Sequence, residues 1–275
     1  MTSKNSLRYG SYNAYLLIFF ISLLIVFIAN HLKNYFLIAP LIIAIIISYL
    51  TTRWIIPRLK KYRINQIIRV EGPEAHYKKS GTPTMGGLTI VPIGLLVGNL
   101  LSIGINENKK LLLISFISLA YMAIGALDDW RSLCNKKNSG LSPKHKIFLQ
   151  TSAGLIFLFT AYISDLLNPL ISLPLQMQLN NYFVFIPIAI FVFIAESNST
   201  NLTDGLDGLA SGCGALVFTG LAIELSLRGT NDNLTMAYFC LAMAGTWLGF
   251  LIHNQNPAKI FMGDTGSLAM GGALS

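Results

Sequence analysis

Asp128 and Asp129 are neighbours, Asp204 and Asp207 stand three residues apart within Asn201 to Ala210 (Asn-Leu-Thr-Asp-Gly-Leu-Asp-Gly-Leu-Ala), and Asp264 lies in Gly263-Asp-Thr-Gly-Ser267. Each of these acids borders a long apolar stretch. Lipid offers a carboxylate neither solvation nor a partner, so acids in such places line an ion path, a proton relay or a catalytic site. Asp128 and Asp129 end a segment expected to be helical, where the dipole's negative end disfavours acids and two adjacent carboxylates repel. A cation must compensate them. A divalent metal such as Mg²⁺ fits, because it takes one or two carboxylates, keeps waters and shares phosphate oxygens. Asp204, Asp207 and Asp264 have a duller alternative: they sit where helices start, and capping accounts for acids there.

Basic and glycine-rich residues accompany the acids. Lys78 and Lys79 precede Gly81 to Gly87 (Gly-Thr-Pro-Thr-Met-Gly-Gly), and Lys144 and Lys146 follow the acidic pair. Glycines let backbone amides approach an anion closely, so these stretches suit phosphate; the plainer alternative is that the lysines only set membrane orientation. Gly-x-x-x-x-Gly-Lys-Ser/Thr is absent, which excludes a Walker loop. His31, His76, His145 and His253 make no metal pair, and Cys134, Cys213 and Cys240 have neither ligand spacing nor an even count.

Composition says what must position these groups. Of the 275 residues 53% are hydrophobic and 12% charged, and mean hydropathy is +0.58, far too little polar surface for a soluble domain. The expected fold is an all-α, polytopic membrane helix bundle. About eight apolar spans run Tyr12 to Ala29, Tyr35 to Ile56, Gly86 to Gly104, Leu111 to Leu127, Ile147 to Leu167, Tyr182 to Ala195, Leu209 to Leu227 and Leu234 to Ile252, and a further one starts near Ser267. No small-residue cleavage site follows the first, so it is read as a retained helix. The loops Pro57 to Met85, Asp128 to Lys146, Glu196 to Gly208 and His253 to Gly266 hold seven, five, none and one Lys or Arg, against two, none and one in the loops between. The first set is therefore expected to face the cytoplasm. The net charge of +8 follows from that bias and does not indicate a nucleic-acid surface. All four polar motifs then fall on one face, where they can converge on one site.

Two chemistries suit acids, lysines and glycines at one face of a multi-span protein. Phosphoryl transfer to a lipid needs a metal to neutralise repelling phosphates while the tail stays in the bilayer. Ion-coupled transport would instead place acids near the middle of spans. Glu224, near one end of the seventh span, is the only such acid.

Together, His76 to Gly87, Asp128-Asp129, Asn201 to Ala210 and Phe261 to Gly272 resemble the phospho-N-acetylmuramoyl-pentapeptide transferases, or translocase I family, of bacterial peptidoglycan synthesis. Sister enzymes that move N-acetylglucosamine-phosphate share the acidic pair, but the Gly-Thr-Pro-Thr-Met-Gly-Gly and Asn-Leu-Thr-Asp-Gly-Leu-Asp-Gly-Leu-Ala forms favour the muramoyl-pentapeptide branch. The resemblance implies a Mg²⁺-dependent enzyme of the bacterial inner membrane with a cytoplasmic active site. It would transfer phospho-N-acetylmuramoyl-pentapeptide from its UDP derivative to undecaprenyl phosphate, giving lipid I and UMP. It further implies that Asp128 and Asp129 serve the acceptor phosphate, with Asp128 as base, and that Asp264 is catalytic as well, holding the metal with Asp204 or, in a two-step variant, acting as nucleophile. Asn201, Asp204, Asp207 and Asn254 would line the nucleotide and pyrophosphate site. Lys79, Thr84 and Lys146 would contact phosphates or orient the acids. A transferase domain is expected over 35–275, preceded by a segment 1–34 with an extra apolar helix; family practice implies a homodimer. The family has ten spans and a late Pro-x-His-His-His loop, neither complete by Ser275, so residues 1–275 alone are expected to transfer little, as a fragment or a truncated remnant would.

Overall fold

The computed structural model describes residues 3–62, 64, 81–103, 109–135, 140–172 and 178–275. Its long apolar runs are helical, the form in which a segment without water can pair its own backbone groups. In chain order the helices are α1 (Ser3–His31), α2 (Ile38–Lys61), α3 (Gly87–Leu101), α4 (Lys109–Asn135), α5 (Pro143–Ile163), α6 (Tyr182–Thr203), α7 (Leu209–Arg228), α8 (Asn231–Asn254) and α9 (Gly263–Leu274). Between α5 and α6, β1 (Leu170–Ser172) pairs antiparallel with β2 (Gln178–Asn180), Leu170 opposite Asn180. Seven segments are long and apolar enough to cross a membrane: Asn13–His31, Tyr35–Lys61, Lys109–Asn135, Pro143–Ile163, Tyr182–Thr203, Leu209–Arg228 and Asn231–Asn254. The chain is an all-α, multi-span membrane bundle.

Helix α8 is its axis. Every residue from Ala237 to Leu251 is buried, as expected of a helix that is apolar on all sides. Gly245 and Gly249 leave the α2 backbone room to close in at Leu41 and Ile45, and the Ser48 hydroxyl donates to the Thr246 carbonyl at 2.7 Å. Small residues at helix crossings serve this purpose where lipid removes the hydrophobic drive for association. Ile21, Ile25 and Ala29 of α1 join the same apolar cluster as Leu41, Phe218 and Trp247.

Helix ends depart from the hydropathy pattern, and the departures matter for the site. α3, expected as a span over Gly86 to Gly104, has 15 described residues, about 22 Å against a hydrocarbon core of roughly 30 Å. α4 continues past Leu127 to Asn135 and α6 past Ala195 to Thr203, so the acidic pair and Asn201 ride on helices and not in loops. α9 begins at Gly263, ahead of the expected Ser267, because another helix supplies its cap.

Candidate active site

That cap is Asp129. The residue preceding α9, Met262, offers no side-chain cap. Instead the Asp129 carboxylate, reaching across from α4, accepts from the Asp264 amide at 3.1 Å, the Thr265 amide at 3.0 Å and the Thr265 hydroxyl at 2.6 Å. The expectation that the pair sits at an unfavourable helix end is thereby corrected: α4 runs on past it, and the positive end of α9 receives one of the acids. A cap of this kind stabilises by about 0.5–2 kcal/mol. Gly125, one turn earlier on α4, admits the Asp264 backbone where a Cβ would collide with it.

Asp264, set in the first turn of α9, is held from two more helices. The Lys146 ammonium of α5 lies 2.5 Å from its Oδ2, and the Asn201 amide of α6 donates to its Oδ1 at 2.8 Å and to Ser267 Oγ at 2.9 Å. Lys146 also lies 3.7 Å from Asp128. The compensating cation inferred from the acidic pair is thus, in part, a lysine. Its place follows from the start of α5, where Ser142 caps the helix and Pro143 occupies the first turn, a pairing suited to a helix N-terminus. Asp128 is gripped by the segment before that cap: the Leu141 amide donates to its Oδ1 at 3.0 Å, and Gly140 packs so closely on the carboxylate that a Cβ would overlap it.

The first motif arrives by backbone pairing. Phe261 donates to the Pro83 carbonyl at 2.8 Å, Gly86 to Phe261 at 3.0 Å and Gly87 to Met262 at 2.9 Å. This brings Thr84, 6% exposed, beside Gly263. Thr84, Asp128, Asp129, Lys146, Asn201, Asp204 and Asp264 all line one cavity of about 920 Å³. Residues from four separate stretches of the chain meet there.

A match to the family model described as glycosyl transferase family 4 extends over residues 111–275. The chain belongs to that family. It is 56% identical over 249 residues to the phospho-N-acetylmuramoyl-pentapeptide-transferase of Prochlorococcus marinus (strain MIT 9313), covering 90% of this chain and 66% of that protein. With the protein of that name from Synechococcus sp. (strain CC9311) it shares 54% over 244 residues, 89% of this chain and 66% of the relative. With the one from a second strain of Prochlorococcus marinus it shares 52% over 274 residues, 99% of this chain and 74% of the relative. The chain spans about two thirds of the length of the first two of these curated relatives. The family 4 region runs from the third residue of α4 through α9 and so takes in every aspartate of the cavity, while Thr84 comes before it.

Other expected residues lie elsewhere. Asp207 is not among the cavity's lining; its Oδ2 accepts from the Asn256 side chain and the Ala258 amide, each at 3.1 Å, and so secures the segment after α8. Asn254, 1% exposed, accepts from Gly208 and Ser211 and donates to the Ile260 carbonyl at 3.0 Å, joining α7 to that same segment. Both position the Asn201 to Ala210 stretch without entering the cavity. Lys79 lies outside the described residues. Arg131, Ser132, His145 and Asn198 line the cavity although no motif named them; Arg131 and Ser132 stand one helical turn from Asp128 and Asn198 one turn from Asn201, whereas His145, beside Lys146, gave no such signal. Among the described residues, no three His, Cys, Asp or Glu side chains form a group able to hold a metal.

Proposed function

We propose that the protein transfers phospho-N-acetylmuramoyl-pentapeptide from its UDP derivative to undecaprenyl phosphate, giving lipid I and UMP, at the cytoplasmic face of a bacterial inner membrane. The observation that carries this reading is the meeting of Asp128, Lys146, Asn201 and Asp264 in one cavity at the ends of membrane-spanning helices. The names of relatives above 50% identity support the choice of sugar. The loop charges, heaviest at Pro57 to Met85 and Asp128 to Lys146, support the orientation.

In the proposed reaction an oxygen of the acceptor phosphate attacks the phosphorus attached to the sugar; that P–O bond forms as the P–O bond to UMP breaks. One phosphoanhydride replaces another, so no further energy source is needed. Catalysis of such a transfer is positioning and electrostatics. Asp128, whose approach is fixed by Leu141 and Gly140, faces the acceptor and takes any proton its phosphate carries. Lys146 offsets phosphate charge while holding Asp264 in place. Asp129 is engaged by the amides of α9 and acts by fixing Asp264.

The Mg²⁺ reading is supported by Asp204 and Asp264, two carboxylates on the lining of one cavity, since such a cation takes one or two carboxylates and fills its other positions with waters and phosphate oxygens. When bound, Mg²⁺ would neutralise charge building on the transferring phosphate. The test uses protein produced from its whole coding frame, purified in detergent, with undecaprenyl phosphate and either UDP-N-acetylmuramoyl-pentapeptide or UDP-N-acetylglucosamine. Lipid-linked product and UMP in equal amounts from the first nucleotide, abolished by EDTA, are expected. Product from the second alone would reverse the assignment of the sugar.

A further inference from the structure

Beneath the charged layer lies a second, uncharged one. Gln150 of α5 stands one helical turn from Lys146, Ser197 of α6 one turn from Asn201, and Tyr121 of α4 two turns from Asp128; all three are fully buried. Gln150 connects them. Its Nε2 donates to Ser197 Oγ at 3.1 Å, its Oε1 accepts from the Asn198 side chain at 3.0 Å, and its backbone carbonyl accepts from the Tyr121 hydroxyl at 3.1 Å. The three helices that carry Asp128, Lys146 and Asn201 are thus tied through one residue, and one of its partners, Asn198, itself lines the cavity.

Packing alone does not call for an amide here. A buried amide costs free energy unless paired, and in a lipid-embedded bundle an apolar side chain would fill the same space more cheaply. Nor do the partners need it to avoid being stranded: Ser197 Oγ also donates to the Phe193 carbonyl at 2.7 Å and the Asn198 amide to the Ile194 carbonyl at 2.7 Å. What the amide adds is register. A single buried polar residue fixes how helices line up in coiled coils, where every other alignment leaves it unpaired.

We propose that Gln150 is a positioning residue of the transfer site, setting the alignment of α5 on α6 so that Lys146 and Asn201 meet on Asp264. This rests on the transferase reading. Sliding α5 by a fraction of a turn would part Lys146 from Asp264 while leaving the apolar contacts of the two helices largely exchangeable. Transfer is sensitive to such shifts: a displacement of about 1 Å costs on the order of 100-fold in rate.

The experiment compares unaltered protein, Gln150→Met and Ser197→Ala, each from the whole coding frame, in transfer from UDP-N-acetylmuramoyl-pentapeptide to undecaprenyl phosphate and in thermal melting in detergent. Gln150→Met is expected to lower kcat by roughly 10- to 100-fold, with KM for the nucleotide within about twofold and no fall in melting temperature beyond a few degrees. Ser197→Ala, which removes one arm, should lower kcat less, again without a rise in KM. Unchanged kcat in Gln150→Met, or a loss matched by collapse of the melting transition in both variants, would overturn the inference while leaving the transferase reading intact. Failure of the unaltered protein to form lipid-linked product would overturn that reading and this inference with it.

Discussion

Two lysine–aspartate pairs sit near opposite ends of α4, and their N–O distances are the same. Lys110, on its first turn, reaches Asp232 of α8 at 2.5 Å with side chains 47% and 43% exposed. Past its other end, Lys146 of α5 reaches Asp264 of α9 at 2.5 Å, with 15% and 26% exposed, and has Asp128 within 3.7 Å. The first pair is a tether in water, of a kind contributing about 0.2–1 kcal/mol. In the second, each partner has further obligations: Asp264 also accepts from Asn201, and its amide donates to Asp129. Distance alone therefore says little about what an ion pair does. Exposure, and the cavity that the second pair borders, separate a fastening from a site.

The contrast can be broken most severely at Asp129. Asp129→Asn keeps the shape but weakens the cap on α9 and loosens Asp264, so lipid-linked transfer should fall by roughly 100-fold or more. Melting should report a loss of about 0.5–2 kcal/mol. Turnover near that of unaltered protein would reduce Asp129 to a structural acid. A gentler break is Gly140→Ala, whose new Cβ would press on the Asp128 carboxylate. Transfer should drop about tenfold with the melting temperature little moved; full activity would show that the Gly140-Leu141 grip does not matter. The smallest effect belongs to the opposite end. Lys110→Met should change stability by less than about 1 kcal/mol and leave transfer rates unaltered, and a large kinetic defect there would erase the distinction between the two pairs.

Much of this was legible in the chain because hydropathy and motif spacing are local properties. The spans, and four polar stretches lying on one side of them, follow from counting apolar residues and Lys and Arg. Helix ends were not legible, because tertiary partners set them. Asp128 and Asp129 read as a helix terminus since the apolar run stops at Leu127, yet α4 goes on to Asn135. Asn201 reads as a loop residue since Asn and Thr surround it, yet Thr200 donates to the Ser267 carbonyl at 2.8 Å and keeps that turn against α9. The motif likewise groups Asp207 with Asp204, but the turn between them at Gly205 and Leu206 sends their side chains apart, one to the cavity and one to the segment after α8. Gln150 carries no motif signal. Its role depends on α5 meeting α6, a contact that no local pattern declares.

The central claim is that Lys146 and Asp264 act as one unit with their neighbours, and a double-mutant cycle on transfer rate tests it most directly. Lys146→Met, Asp264→Asn and the double variant are measured under single-turnover conditions with UDP-N-acetylmuramoyl-pentapeptide and undecaprenyl phosphate. Groups that function as a unit are strongly non-additive, so the double variant should be about as slow as the worse single one. If the two losses multiply, Lys146 and Asp264 act independently, and the convergence at the end of the bundle is a coincidence of packing.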